Sequence, residues 1–172
     1  MVRMHGSIST RMRIMLALTW SVLGTAAVAA PLLVSLGYHS VASVLYLLFS
    51  NLCHQMPGRS FAFLGFPFAV CHRCFGIEIG LLIGCFIRAR ILNPYGSARR
   101  FVALGILAAL GFDALAPRIG IWTSSALSRF ATGFLFGTVA SHFAVHGLIE
   151  FAHDFSWRRF VSRPAQLKGE LP

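Results

Sequence analysis

Residues 14–37 read IMLALTWSVLGTAAVAAPLLVSLG, 24 residues without a charged side chain. At about 1.5 Å per residue a helix of that length reaches roughly 36 Å, enough to cross a bilayer core of about 30 Å. Arg11 and Arg13 stand just before the run. Basic residues, an apolar core and the small residues Ala27-Val28-Ala29-Ala30 also resemble a signal peptide. Pro31 and the further apolar residues Leu32 to Leu36 favour an anchor that stays attached.

The rest of the chain agrees with a membrane setting. Of 172 residues, 56% are apolar and only 12% charged, against about 25% charged in soluble domains. The net charge of +10 raises the question of nucleic acid. The arginines answer it by position. Arg3, Arg11 and Arg13 precede the first apolar run; Arg88, Arg90, Arg99 and Arg100 share one short loop; Arg158, Arg159, Arg163 and Lys168 follow the last run. That is the positive-inside distribution and not a stripe that tracks a phosphate backbone, so nucleic acid is excluded as a partner.

Further spans are expected at about 68–87, 101–117 and 130–150, after a first at 13–37. Segment 41–52 is too short and too diluted by Ser43, Ser50 and Asn51 to span, and 41–66 as a whole reads as an interfacial or re-entrant Cys-His turn. The basic tail 155–172 is expected to be partly disordered. The fold class is therefore an all-α integral membrane bundle of about four transmembrane helices, multi-pass in the cell membrane with both termini cytoplasmic. That count places the Cys/His turn near the outer face. Gly76, Gly80 and Gly84, and again Gly133 and Gly137, recur every fourth residue. Such ridges let helices approach closely. Besides membrane lipids, they are candidate surfaces for a homo-oligomer or a larger membrane complex.

Chemistry concentrates in Cys53-His54-Gln55-Met56-Pro57-Gly58-Arg59-Ser60-Phe61 and Cys71-His72-Arg73-Cys74-Phe75-Gly76. Thiolate and imidazole suit zinc, iron or copper, and Cys71 and Cys74 have the spacing of a pair that converges on one ion. Cys53, His54, Cys71 and Cys74 are the candidate ligands, with His72 in reserve. Arg59 and Arg73 nearby favour thiolate. The same residues allow a membrane thiol–disulfide oxidoreductase in which Cys71 and Cys74 cycle, or a disulfide that staples the turn of a non-enzymatic accessory subunit. Phe75 stands where c-type haem attachment needs His, which excludes that group. Cys85 lies well inside a span and reads as packing.

Two further sets of polar residues stand in apolar surroundings. Glu78 follows Cys74 by four residues and Cys71 by seven, so the three share a helical face. An ionised group within a span costs roughly 2.5–3.5 kcal/mol unless paired. The expected pairings are Asp113 with Arg129 or Arg118, and Glu78 with Arg73 or Arg59. Arg59, Arg73, Glu78, Asp113 and Arg129 would thus surround the ligands. His142, His146 and Glu150, spaced four apart on the last span and followed by His153 and Asp154, form a weaker second metal candidate. The alternative there is a polar crown where the helix leaves the bilayer. The sixteen phenylalanines read as lipid-facing and packing surface, though a quinone or pigment pocket would use the same residues.

The chain resembles a family of small bacterial and archaeal predicted membrane proteins that carry a domain of unknown function. Its pattern is Cys-His-Gln-x-Pro-x-Arg-Ser-Phe, then Cys-x-Arg-Cys-x-Gly-Ile-x-x-Gly, then an Asp and Arg-x-x-Thr-Gly-x-x-x-Gly. Matching positions are Cys53, His54, Gln55, Pro57, Arg59, Ser60 and Phe61; Cys71, Arg73, Cys74, Gly76, Ile77 and Gly80; and Asp113, Arg129, Thr132, Gly133 and Gly137. Glu78 departs from an expected aromatic and Ala126 from an expected Asn. The resemblance implies membrane insertion and a shared Cys/His/Arg/Asp site, and no established reaction.

Overall fold

In a computed structural model, residues 2–87 and 98–166 are described, with side chains over 10–87 and 101–152. The chain forms α1 (Val2–Ser35), α2 (His39–Ser50), a one-turn helix (Pro57–Arg59), strands β1 (Ala62–Phe63) and β2 (Phe66–Pro67), α3 (His72–Gly84), α4 (Ala98–Leu115), a second one-turn helix (Ala116–Ile119) and α5 (Ala126–Gln166). Among the described residues, Thr10–Ser35, Phe101–Ile119 and Ala126–Ala152 are long and apolar enough to cross a membrane. The fold is a helical membrane bundle, as composition and charge pattern imply.

Two elements differ from expectation. The segment 68–87 is not one long span: α3 has 13 residues, about 20 Å of helix. The β-hairpin ends at Pro67, and residues 68–70 bend from it to Cys71 at the start of the helix. Leu64 and Gly65, with φ of 50° and 85°, form the two-residue left-handed turn that pairs Phe63 with Phe66. The basic tail, expected to be partly disordered, continues α5 as far as Gln166, and residues 167–172 lie outside the described residues. Residues 88–97, with Arg88, Arg90 and Asn93-Pro94, lie outside the described residues, whereas Arg99 and Arg100 belong to the first turn of α4.

Residues His39–Ser50 form the helix α2, serines included. Ser43 and Ser50 return their hydroxyls to the carbonyls of His39 and Leu47, at 2.8 and 2.7 Å, so these polar groups are satisfied within α2. α2 folds back on α1 and packs Phe49 against Ala27 and Ala30.

α3 and α5 form the closest contact of the bundle. Gly76 faces Phe130, Gly80 faces Phe134 and Gly84 faces Thr138, so the two helices run parallel. In return, Gly133 meets the backbone of Arg73 and Gly137 that of Ile77. A methyl group on any of the five would overlap a carbonyl of the opposing helix. Both glycine ridges are thus engaged with one another inside the chain.

Pro31 positions the approach to α3. Proline has no N–H, so within α1 the carbonyl of Ala27, four residues earlier, loses its helical donor. The backbone N–H of Ala69 takes that place at 3.2 Å. Ala69 and Val70 are fully buried in a cluster with Ala27, Ala30, Phe49 and Cys53. The next residue is Cys71.

A candidate metal centre of three cysteines

Cys53 continues the last turn of α2, its N–H donating to Phe49 O at 2.9 Å. The chain then leaves the helix without regular secondary structure. Cys53 is buried and His54 exposed. The return strand brings Cys71 to the start of α3, and Cys74 lies one turn further on. The sulfurs of Cys53, Cys71 and Cys74 all lie within 4.8 Å of one another, and all are free thiols. His54 is not in this group.

The loops around the cysteines are held by named contacts. Gln55 adopts φ 48° and its side-chain amide donates to Tyr46 O at 2.7 Å and to Ala69 O at 2.9 Å. The Tyr46 hydroxyl in turn donates to Pro67 O. One glutamine thereby ties the turn carrying Cys53 to the strand that delivers Cys71. The Cys71 N–H points at Cys53 Sγ, 3.1 Å away, the kind of donor that stabilises charge on sulfur. Hydrogen bonds with Cys53 and then Cys74 hold the Cys71 thiol well below the usual thiol range, against the opposing effect of burial. Negative charge in the triad therefore settles on Cys71.

Beside the cysteines, Phe61 packs edge-on against His72 and Phe75, with ring centroids 4.4 and 5.8 Å apart. The hairpin makes this contact by pairing Phe68 N–H with Phe61 O at 2.7 Å. His72 is buried, and burial followed by the charge of Arg129 pushes it toward the neutral form.

The ionic contacts are not those expected. Arg73 pairs with Asp113, not Glu78: its Nη2 donates to the Asp113 carboxylate and also to Asp113 O at 3.1 Å. Ser128 donates to the other carboxylate oxygen at 2.9 Å. Arg129, expected on Asp113, instead donates to Ser124 Oγ at 2.8 Å. The reason is helical phase. Arg73 and Glu78 are five residues apart, about 140° around α3, so Arg73 faces α4 and α5 while Glu78 faces α1. Arg59 and Arg118 are exposed.

The second candidate set does not converge. His142 and His146 have ring centroids 4.6 Å apart, and Glu150 is exposed. Among the described residues, Cys53, Cys71 and Cys74 are the group of three with ligand atoms close enough to share an ion. The side chains of His153 and Asp154 lie outside the described residues. Three contributors carried no role at the level of sequence: Gln55, Tyr46 and Ser128. Only Gln55 had a signal, its place in the Cys-His-Gln motif.

A family profile described as "Predicted membrane protein (DUF2085)" matches residues 53–143, which takes in all three cysteines, Arg73, Asp113 and both glycine ridges. An uncharacterized protein of Methanocaldococcus jannaschii is 37% identical over 99 residues, covering 56% of this chain and 64% of that protein. A second uncharacterized protein, of Methanothermobacter thermautotrophicus, is 33% identical over 85 residues, covering 49% of this chain and 77% of its own length. The chain thus spans just under two thirds of the first relative and about three quarters of the second. No solved structure matches.

Proposed function

The chain belongs to the predicted membrane protein family DUF2085, and from that premise we propose that it is a membrane protein that binds one soft metal ion through Cys53, Cys71 and Cys74. The observation that carries this reading is the mutual approach of the three sulfurs to within 4.8 Å. Three thiolates around a zinc ion, with Zn–S near 2.3 Å, sit about 3.8 Å apart, so the triad needs little adjustment. An all-sulfur set suits zinc, iron or copper(I) and not a hard cation. With three protein ligands the fourth coordination position is open to an exogenous group, and there a bound metal would supply Lewis-acid or electron-transfer chemistry. The chain's own residues hold charge on Cys71, keep Cys53 dry and fix the two segments through Gln55 and the Arg73–Asp113 pair.

The charge distribution supports a multi-pass arrangement in the cell membrane with both termini cytoplasmic and the cysteines toward the outer face. Reporter fusions at the termini and at the β1–β2 turn test it.

A second reading uses the same proximity. Cys71 at the head of α3, with its thiol favouring ionisation, suits attack on an external disulfide. A Cys71–Cys74 bond would form as the acceptor takes up two electrons and two protons. Elemental analysis of anaerobically purified protein, beside a thiol titration, separates the two. About one metal per chain, lost in Cys71→Ser, supports the centre. A metal-free protein whose Cys71 and Cys74 interconvert reversibly between dithiol and disulfide would replace it with the redox reading.

A further inference from the structure

The three cysteines lie deep along the first span. Ala69 N–H donates to Ala27 O at 3.2 Å, and Cys53 is buried in one cluster with Ala27 and Ala30. Ala27 stands nine residues before Leu36, about 14 Å of helix. The run that holds both carries no charge, which marks it as the part of α1 within hydrocarbon. On the far side of the turn from Cys53, Phe61 sits against His72, Phe75 and Phe130, with ring centroids 4.4, 5.8 and 6.2 Å away. From there α3 runs on toward Arg13, which donates to Cys85 O at 2.6 Å. Both anchors of the turn 54–60 therefore lie well below the outer end of α1.

This turn does not suit lipid. His54, Met56, Pro57, Gly58 and Arg59 are exposed. The backbone N–H groups of His54, Gln55 and Met56 have no backbone partner among the described residues. Irregular backbone stands at membrane depth only where protein buries it or water wets it, and a guanidinium exposed to hydrocarbon is costly. Protein does not enclose the turn, so water must reach it. α2, nearer the outer end, is the opposite case: Val44 and Leu47 are 55% and 69% exposed, as a lipid-facing helix requires. The turn is also short of negative charge. Of the carboxylates whose side chains are described, Asp113 is engaged by Arg73, Glu78 faces Gly24 of α1 and Glu150 lies far along α5. We infer that water indents the outer leaflet as far as the turn 54–59, and that this pocket, with Arg59 in it, admits small hydrophilic anions to the cysteines. The inference rests on the membrane arrangement proposed above and names the class of group that can take the open position of the centre.

The test uses the full chain in lipid nanodiscs, where both membrane faces meet water. Two variants are compared: Gly58→Cys, whose Cβ meets nothing within 4 Å, and Val44→Cys on the exposed face of α2. Each is treated with an anionic and a cationic methanethiosulfonate of similar size. Modification is mapped by mass spectrometry, and each rate is divided by that of a free low-mass thiol. Gly58→Cys should react about tenfold faster than Val44→Cys or more, although it lies deeper, because lipid suppresses the thiolate that reacts. At Gly58→Cys the anionic reagent should gain about fivefold over the cationic one, the pull of one nearby charge in water. Arg59→Gln in that background should remove the gain. Cys71→Ser should leave these rates unchanged, so failure here is distinct from failure of the metal centre, and the reporter fusions read the membrane arrangement separately. Equally slow reaction at both positions overturns the inference, because lipid then covers the turn. Equally fast reaction overturns it too, because the whole outer end then stands in water. A charge preference that is absent, or that survives Arg59→Gln, overturns the admission of anions.

Discussion

Arg73 on α3 and Asp113 on α4, forty residues apart, are joined side chain to side chain and again through the Asp113 carbonyl. Asp113 is 5% exposed in its side chain and Arg73 24%. This pair fixes the first turn of α3, the turn between Cys71 and Cys74, against the end of α4. Removing one partner leaves the other charge buried alone, a loss of 3–5 kcal/mol in dry sites and about 2 kcal/mol here, given the partial exposure of Arg73. Asp113→Asn and Arg73→Met should each lower the thermal midpoint in detergent. The double replacement Arg73→Met with Asp113→Leu should recover part of the loss, because no charge then remains unpaired. Additive losses in the double variant would show that the two residues do not act as a pair.

The glycines divide sharply by position. A Cβ on Gly80 would overlap Phe134 O, whereas one on Gly105 of α4 meets nothing within 4 Å. Gly80→Ala should therefore destabilise by about 1–3 kcal/mol through forced separation of α3 and α5. Gly105→Ala should be neutral or stabilise by up to about 1 kcal/mol through helix propensity. Equal midpoints for the two variants would refute the tight α3–α5 contact.

Much of this architecture was legible in residue order, and the illegible parts share a cause. The apolar runs and the clustered arginines announced a membrane bundle, because bilayer thickness and charge asymmetry act on linear sequence. The cysteine triad was legible from Cys71 and Cys74, whose spacing is local. The partner of Arg73 was not, since it depends on which face of α3 meets α4. His54 looked equivalent to Cys53 in the motif, but the turn after α2 buries Cys53 and leaves His54 exposed, which residue order alone does not specify. Pro31 read as a mark of an anchor helix; its effect on Ala27 O becomes visible only when Ala69 is found on that carbonyl. The serines of α2 read as dilution of an apolar segment; that their hydroxyls are satisfied on carbonyls within the helix is visible only in the structure.

The exposure of His54 gives a direct comparison. His54→Ala should keep the full metal complement in elemental analysis, whereas Cys53→Ser should lose most of it. If His54→Ala empties the protein of metal as thoroughly as Cys53→Ser, the turn must rearrange on binding to bring the imidazole inward.

Ionisation of Cys71 sets a pH dependence. Its thiol is shifted down, so the thiolate is retained as pH falls below the ordinary thiol value of about 8.5. An unshifted thiol loses about tenfold in alkylation rate per pH unit below that value, because only the thiolate reacts. In metal-free protein, one site should keep nearly constant reactivity toward iodoacetamide between about pH 8 and pH 6, and mass mapping should place it at Cys71. A tenfold fall per unit at Cys71 would mean that the contacts with Cys53 and Cys74 do not stabilise its charge.

Gln55 joins the two halves of the site without supplying a ligand. It donates to Tyr46 O and Ala69 O from a left-handed backbone conformation uncommon for residues with a side chain. Gln55→Leu would leave the Ala69 carbonyl without this donor, at about 1–3 kcal/mol for a buried group left unsatisfied. It should also let the turn bearing Cys53 move away from Cys71. A short bifunctional thiol reagent should link Cys53 to Cys71 or Cys74 in the metal-free parent and do so several-fold more slowly in Gln55→Leu. Gln55→Gly separates the two contributions: it accommodates the left-handed backbone at no steric cost but still lacks the amide. If the amide is what clamps the site, Gln55→Gly should cross-link as slowly as Gln55→Leu. Restoration of the parental rate by glycine would assign the effect to backbone conformation instead, and the clamp would have to lie in the contact between Ala69 N–H and Ala27 O.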